Sequence, residues 1–137
     1  MPKILVALDG SRGSEKALEA AIKLAQSNGG YVSAISVVSR FSDPHLERLA
    51  EGVKEQARCR LEETLQAAAN FARSRGVCLT PILREGHPAD TILACAEQEQ
   101  VEVLILGSAR ETLSRPGLGS TAGQVSSHAP CTVVIVK

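Results

Sequence analysis

Aromatic side chains are scarce. With no tryptophan, one tyrosine and two phenylalanines in 137 residues, the chain offers no stacking platform for single-stranded nucleic acid. Net charge is missing as well: fifteen basic and fifteen acidic side chains cancel, which removes the basic footprint that a phosphate backbone requires. Nucleic acid is therefore not an expected partner. No apolar run approaches the roughly 20 residues of a membrane span. The chain goes directly into Ile4, Leu5 and Val6 without the layout of a signal peptide. The expectation is a cytoplasmic protein with no membrane partner.

Metal and phosphate signatures are also lacking. The four cysteines, Cys59, Cys78, Cys95 and Cys131, form no C-x-x-C pair, and no histidine stands at zinc-ligand spacing. They are expected to be core thiols, since free cysteine packs as a small hydrophobe, and no metal site is assigned. No lysine lies between Lys54 and Lys137, so a Walker loop is absent. Gly117 to Ala122 formally satisfies G-x-G-x-x-A. However, ten residues separate Leu106 from Gly117 and no acid follows Glu111, so the context of a dinucleotide fingerprint is not met.

What is present alternates. The length suits one domain, residues 1–137. Lys3 to Leu8 reads as a first strand closed by the turn-forming Asp9-Gly10-Ser11. From Glu15 to Gln26, Leu18, Ala21, Ile22 and Ala25 fall on one helical face, and Gly29-Gly30 stop the helix. Tyr31 to Val38 is a second strand. Asp43 then serves as N-cap with Pro44 at the first helical position. One long helix is expected from there to Gly76, with Leu46, Leu49, Val53, Ala57, Leu61, Leu65, Ala68 and Ala72 as its stripe and Gly52 as an early weak point. Val77 to Arg84 is a third strand. Its Pro81 cannot donate to a ladder and places it at a sheet edge. His87-Pro88 opens a helix with Ala89, Ile92, Leu93 and Ala96 inward; Val101 to Leu106 is the fourth strand, Thr121 to about His128 the last helix, and Thr132 to Val136 the fifth strand.

Five strands and four helices in alternation predict an α/β fold: a doubly wound, five-stranded parallel sheet in the order 3-2-1-4-5, with helices on both faces. The order reverses between strands one and four, where open sheets bind ligands beyond their carboxyl ends. The turn at Asp9 and the stretch from Leu104 to Ser120 meet there. Gly107 releases the fourth strand, and Ser120 precedes a helix whose free N–H groups suit an anion. Arg110 and Arg115 bring two guanidinium forks to the same stretch.

Catalytic constellations are weak. Asp9 with Ser11, His87 with Asp90, and His128 with Cys131 are the available groupings. Ser11 and Ser14 read as helix caps, His87 as a helix-start residue, and His128 and Cys131 as helix-end and packing residues on the far side of the sheet. No catalytic residue is assigned, and the chain is not read as an enzyme.

VALDGS at 6–11, GHPADTI at 86–92, LILGS at 104–108, GS at 119–120 and SHAPCTVVIV at 127–136 resemble the universal stress protein family over the whole chain. Nucleotide-binding members carry Gly-x2-Gly-x9-Gly-[Ser/Thr] after the fourth strand. Here Gly107 and Gly119-Ser120 match, Arg110 replaces the second glycine, and the loop is one residue shorter. The resemblance implies a nucleotide pocket with Ala7 and Asp9 near base and ribose, Val37 against adenine, and Gly119, Ser120 and Thr121 at the phosphates. Gly107, Ser108, Arg110 and Gly117 complete the set. The implied ligand is ATP, ADP or AMP, bound weakly because Arg110 disfavours the backbone freedom of a glycine, with Mg²⁺ only if ATP is bound. The competing expectations are a dimeric stress protein without nucleotide, acting through protein contacts, and, ranked last, a slow ATP hydrolase.

Thr132, Val133, Val134, Ile135 and Val136 would form the other sheet edge, carrying no charge before Lys137. Such an edge invites pairing. Relatives resembling this arrangement pair their last strands about a two-fold axis, so a homodimer is expected.

Overall fold

The computed structural model describes residues 3–40, 42–108 and 120–137. The chain runs β1 (Ile4–Ala7), α1 (Arg12–Ser27), β2 (Tyr31–Ser39), α2 (Pro44–Leu49), α3 (Glu51–Ser74), β3 (Cys78–Gly86), α4 (Pro88–Gln98), β4 (Val103–Gly107), α5 (Ser120–His128) and β5 (Thr132–Val136). The sheet is parallel throughout, in the order β3-β2-β1-β4-β5. Leu5 of β1 lies opposite Ser33 on one side and Leu104 on the other. The continuous apolar runs of β1 and β4 are buried on both faces, as a central parallel strand must be. Side chains of α1 and α3 close one face with Ile4, Val6 and Ile105. Those of α4 and α5 close the other with Leu5, Leu104 and Leu106.

Local signals act as their chemistry dictates. Ser11 caps α1, its hydroxyl accepting from Ser14 N–H at 3.2 Å. Asp43 caps α2 by accepting from His45 N–H at 2.8 Å, with Pro44 following. Pro81 sits opposite Ala34 in the edge strand β3, where its missing N–H costs no second ladder.

The expected long helix is two helices. It breaks at Ala50, two residues before Gly52, where no side chain caps the new start. Leu46, Leu49 and Val53 are 49%, 68% and 67% exposed, and only Leu61, Leu65, Ala68 and Ala72 of α3 are buried. Periodicity gives the direction of a face; it does not say where the sheet beneath it ends. The core-thiol expectation also fails in part. Cys59 lies on the outer side of α3 and Cys78 opens the edge strand, and both are exposed. Cys131 is half-buried and Cys95 buried. Burial pushes the Cys95 thiol up, with the nearby Glu99 charge adding to it, and burial does the same to Cys131.

Charge, in place of apolar packing, holds the α2–α3 junction. Lys54, its side chain 14% exposed, bridges Glu47 of α2 and Glu85 of β3. Arg40 and Arg58 approach the same Glu85 carboxylate at 3.5 and 3.7 Å. The hydrogen bond from Lys54, then the charges of Lys54 and Arg40, hold the Glu85 carboxyl below the usual carboxylate range despite the opposing effect of burial. A depressed folded-state value means that this contribution is complete above the unfolded value, about pH 4.3, and is lost as pH falls through the folded one. Glu85→Gln should therefore lower Tm at pH 7, and thermal melts in acid should show the gap to wild type closing as pH falls below about 4.

Candidate functional site

At the carboxyl ends of β1, β2 and β4 a crevice of about 240 Å³ opens between the β1–α1 turn and the start of α5. Its volume falls just below the range of about 300 to 1,000 Å³ usual for ligand cavities. Ile35, Val37, Pro88, Ile92 and Leu106 supply the apolar wall, and Asp9, Ser11, Ser14, Ser39 and Thr121 the polar groups. Asp9 is the sole charged side chain among the described lining residues.

The local chemistry explains how these groups are held. Past β1, the Ser11 N–H donates to Asp9 Oδ1 at 2.9 Å, forming a turn that Gly10 permits by adopting φ +85°. Among the described residues nothing bonds the other Asp9 oxygen. The Ser14 hydroxyl donates to the Ser11 carbonyl at 2.9 Å, tightening the first turn of α1. On β2, strand alternation presents Ile35, Val37 and Ser39 to the crevice. The α4 residues Pro88 and Ile92 are one helical turn apart on the same side.

Of the residues expected from the sequence, Ala7, Asp9, Val37, Gly107 and Thr121 come together in this crevice. Ser108 is not among the lining residues: it is buried, and its N–H donates to the Val136 carbonyl of β5 at 3.0 Å. Arg110, Gly117 and Gly119 lie outside the described residues, as does the Ser120 side chain. Sequence reasoning did not assign Ile35, Ser39, Pro88 or Ile92 to the site. Alternation from Val37 and the helical spacing of Pro88 and Ile92 were the signals that could have found them.

Gly107 has a second duty. A Cβ built on it would stand 2.5 and 2.6 Å from the carbonyl carbon and oxygen of Gly13, backbone atoms of α1 that cannot swing aside. The missing side chain is what lets the first turn of α1 settle against the end of β4. The other candidate pairs stay apart from the crevice. His87 precedes α4 with its Nε2 3.4 Å from the Ser42 hydroxyl, and His128 ends α5 with its Nδ1 3.0 Å from the Gln124 carbonyl. Among the described residues no group of three or more histidine, cysteine or acidic side chains could hold a metal ion, and no helix is long and apolar enough to cross a membrane.

Comparison with known proteins places this geometry. The model of the universal stress protein family matches residues 1–137. A universal stress protein of Methanocaldococcus jannaschii is 33% identical, the match covering 98% of this chain and 81% of that protein. One from Bacillus subtilis is 31% identical across 98% of each. Among solved structures, UspA of Lactobacillus plantarum superposes with a TM-score of 0.89 at 24% identity, over 99% of this chain and 97% of that one. An Archaeoglobus fulgidus universal stress protein solved in complex with dAMP superposes with a TM-score of 0.75 at 22% identity, over 100% and 98% of the two chains. A universal stress protein in complex with cAMP gives 0.78 at 21%, over 99% and 97%.

The packing role of Gly107 can be measured without any ligand. Gly107→Ala should destabilise the protein by about 1–3 kcal/mol, the scale of overpacking a close contact, read as a lower denaturant midpoint at unchanged m-value. An unchanged midpoint would show that α1 and β4 separate freely.

Proposed function

The chain belongs to the universal stress protein family, and from that premise we propose that it is a cytoplasmic stress-response module that binds an adenine nucleotide weakly in the crevice between β1 and β4. The observation that carries this reading is the convergence of Ala7, Asp9, Val37, Gly107 and Thr121, drawn from four elements and the β1–α1 turn, on one cavity with an apolar wall and a polar rim. The wall of Ile35, Val37, Pro88 and Ile92 suits a flat ring. The open Asp9 oxygen accepts from a ribose hydroxyl, and the start of α5 at Ser120 and Thr121 offers N–H groups to a phosphate. ATP, ADP and AMP are the candidate ligands, with Mg²⁺ only alongside ATP. The same fold was solved with dAMP in the Archaeoglobus fulgidus protein and with cAMP in another relative.

Titration calorimetry with ATP, ADP and AMP tests the reading. Binding is expected with dissociation constants above about 1 µM, corresponding to less than about 8 kcal/mol of binding free energy. Asp9→Ala should weaken it by more than about tenfold while changing stability by about 1 kcal/mol, the scale of one capping turn. Absence of heat at millimolar ligand would overturn the nucleotide reading.

A second reading has its own observation. β5 forms a sheet edge from Thr132 to Val136, and Val134 at its centre is 39% exposed. This bare apolar edge supports a homodimer paired strand to strand, whose surface could act without nucleotide. Val134→Pro removes a backbone donor from the middle of the strand and should convert dimer to monomer in light scattering, with circular dichroism showing the fold retained. A wild-type monomer at tens of micromolar would end the dimer reading.

A further inference from the structure

β1 ends at Ala7, yet the next residue is still held to β2 through both of its backbone groups. The Leu8 N–H donates to the Ile35 carbonyl at 2.9 Å, a regular step of a parallel ladder. In such a ladder each bonded residue is bracketed by neighbours two apart on the facing strand, so the next bond would run from Val37 N–H to the Leu8 carbonyl. That bond is not formed. The Leu8 carbonyl accepts the Ser36 hydroxyl instead, at 2.7 Å.

Ser36 is fully buried, at 0% exposure. Alternation puts it on the face of β2 that carries Val32, Ala34 and Val38, opposite the face that Ile35, Val37 and Ser39 turn to the crevice. A hydroxyl in that apolar row is tolerated only because it is bonded, and its partner is the last carbonyl before the chain departs at Asp9. Val37 N–H points toward β1, as the Ile35 carbonyl does, at a point where β1 no longer supplies an acceptor.

We propose that Ser36 is a positioning residue for the crevice. By taking the Leu8 carbonyl it ends the β1–β2 ladder one bond early, and it leaves the Val37 N–H to donate to a ring acceptor of a flat heterocycle bound beside it. The ligand half of this assignment rests on the nucleotide reading above; the ladder half belongs to the free protein.

Amide hydrogen exchange on labelled protein, with and without AMP, tests both halves. In wild type without ligand, the Val37 amide should exchange at least about tenfold faster than its strand neighbour Val38, and saturating AMP should slow it by a similar factor. Ser36→Ala frees the Leu8 carbonyl to accept Val37 N–H. Val37 should then be protected without ligand, and AMP should bind about tenfold more weakly, the effect of one hydrogen bond. Ser36→Thr keeps the hydroxyl and should restore both properties. A Val37 amide already protected in free wild type, or unchanged AMP affinity in Ser36→Ala, would overturn the assignment. If AMP fails to bind wild type while the exchange pattern appears as expected, the nucleotide reading falls and the ladder role of Ser36 stands.

Discussion

The arrangement depends on β1 lying between β2 and β4 with all three strands parallel. Leu5 is paired on both sides and fully buried, so β1 has no free edge and no free face. From β1 the chain crosses to β2 through α1, while β4 is reached from β3 through α4 on the opposite face. Right-handed crossovers that run in opposite directions along a sheet must lie on opposite faces. The connections leaving β1 and β4 therefore part from each other, and the gap between them at the carboxyl ends is the crevice. Its location follows from strand order alone; its chemistry follows from the few residues at which each strand releases the chain.

Strand order was legible because two local facts decide it. Pro81 confines β3 to an edge, and the unbroken apolar runs of β1 and β4 demand central places. Helix caps at Ser11 and Asp43 were legible for the same reason, since a cap is a contact between residues two or three apart. The break at Ala50 was legible only in part. Gly52 marked a weak point two residues on, but the ion pair of Lys54 with Glu85 that ties down the start of α3 joins residues 31 positions apart on different elements, and no periodicity encodes that. Nor was the exposure of Cys59 and Cys78, because burial of a small residue depends on what lies opposite it after folding.

The candidate site shows a related limit. Gly107 and Asp9 are the residues by which the sequence most resembles a nucleotide pocket, and both carry duties in the fold. Gly107 admits the backbone of α1, and one Asp9 oxygen fastens the turn that starts it. Their presence in the sequence therefore does not separate a binding chain from a merely folded one. The discriminating groups are those that the fold leaves uncommitted. Among the described residues these are the second oxygen of Asp9 and the Val37 N–H where the β1–β2 ladder stops.

The two edges of the sheet are treated differently, and the difference bears on how assembly and binding relate. The β3 edge carries Pro81 and ends in the ion-pair cluster around Glu85, features that discourage strand addition. The β5 edge carries neither, and it is the one proposed to pair with a second copy. An isologous contact between identical edge strands about a two-fold axis perpendicular to the sheet sets them antiparallel. All five strands of each copy would then point opposite to those of its partner, which carries the two crevices to opposite ends of the joined sheet. Neither copy could lend a side chain to the other's crevice. In that geometry any influence of pairing on the ligand passes through the elements that touch β5 and the crevice alike: β4, which pairs with β5, and α5, which lines the crevice with Thr121 and Ala122 and leads into β5. On the β4 side the contact is direct, since Leu106 and Gly107 line the crevice and pair with Ile135 and Val136, and the Ser108 N–H donates to the Val136 carbonyl just beyond them.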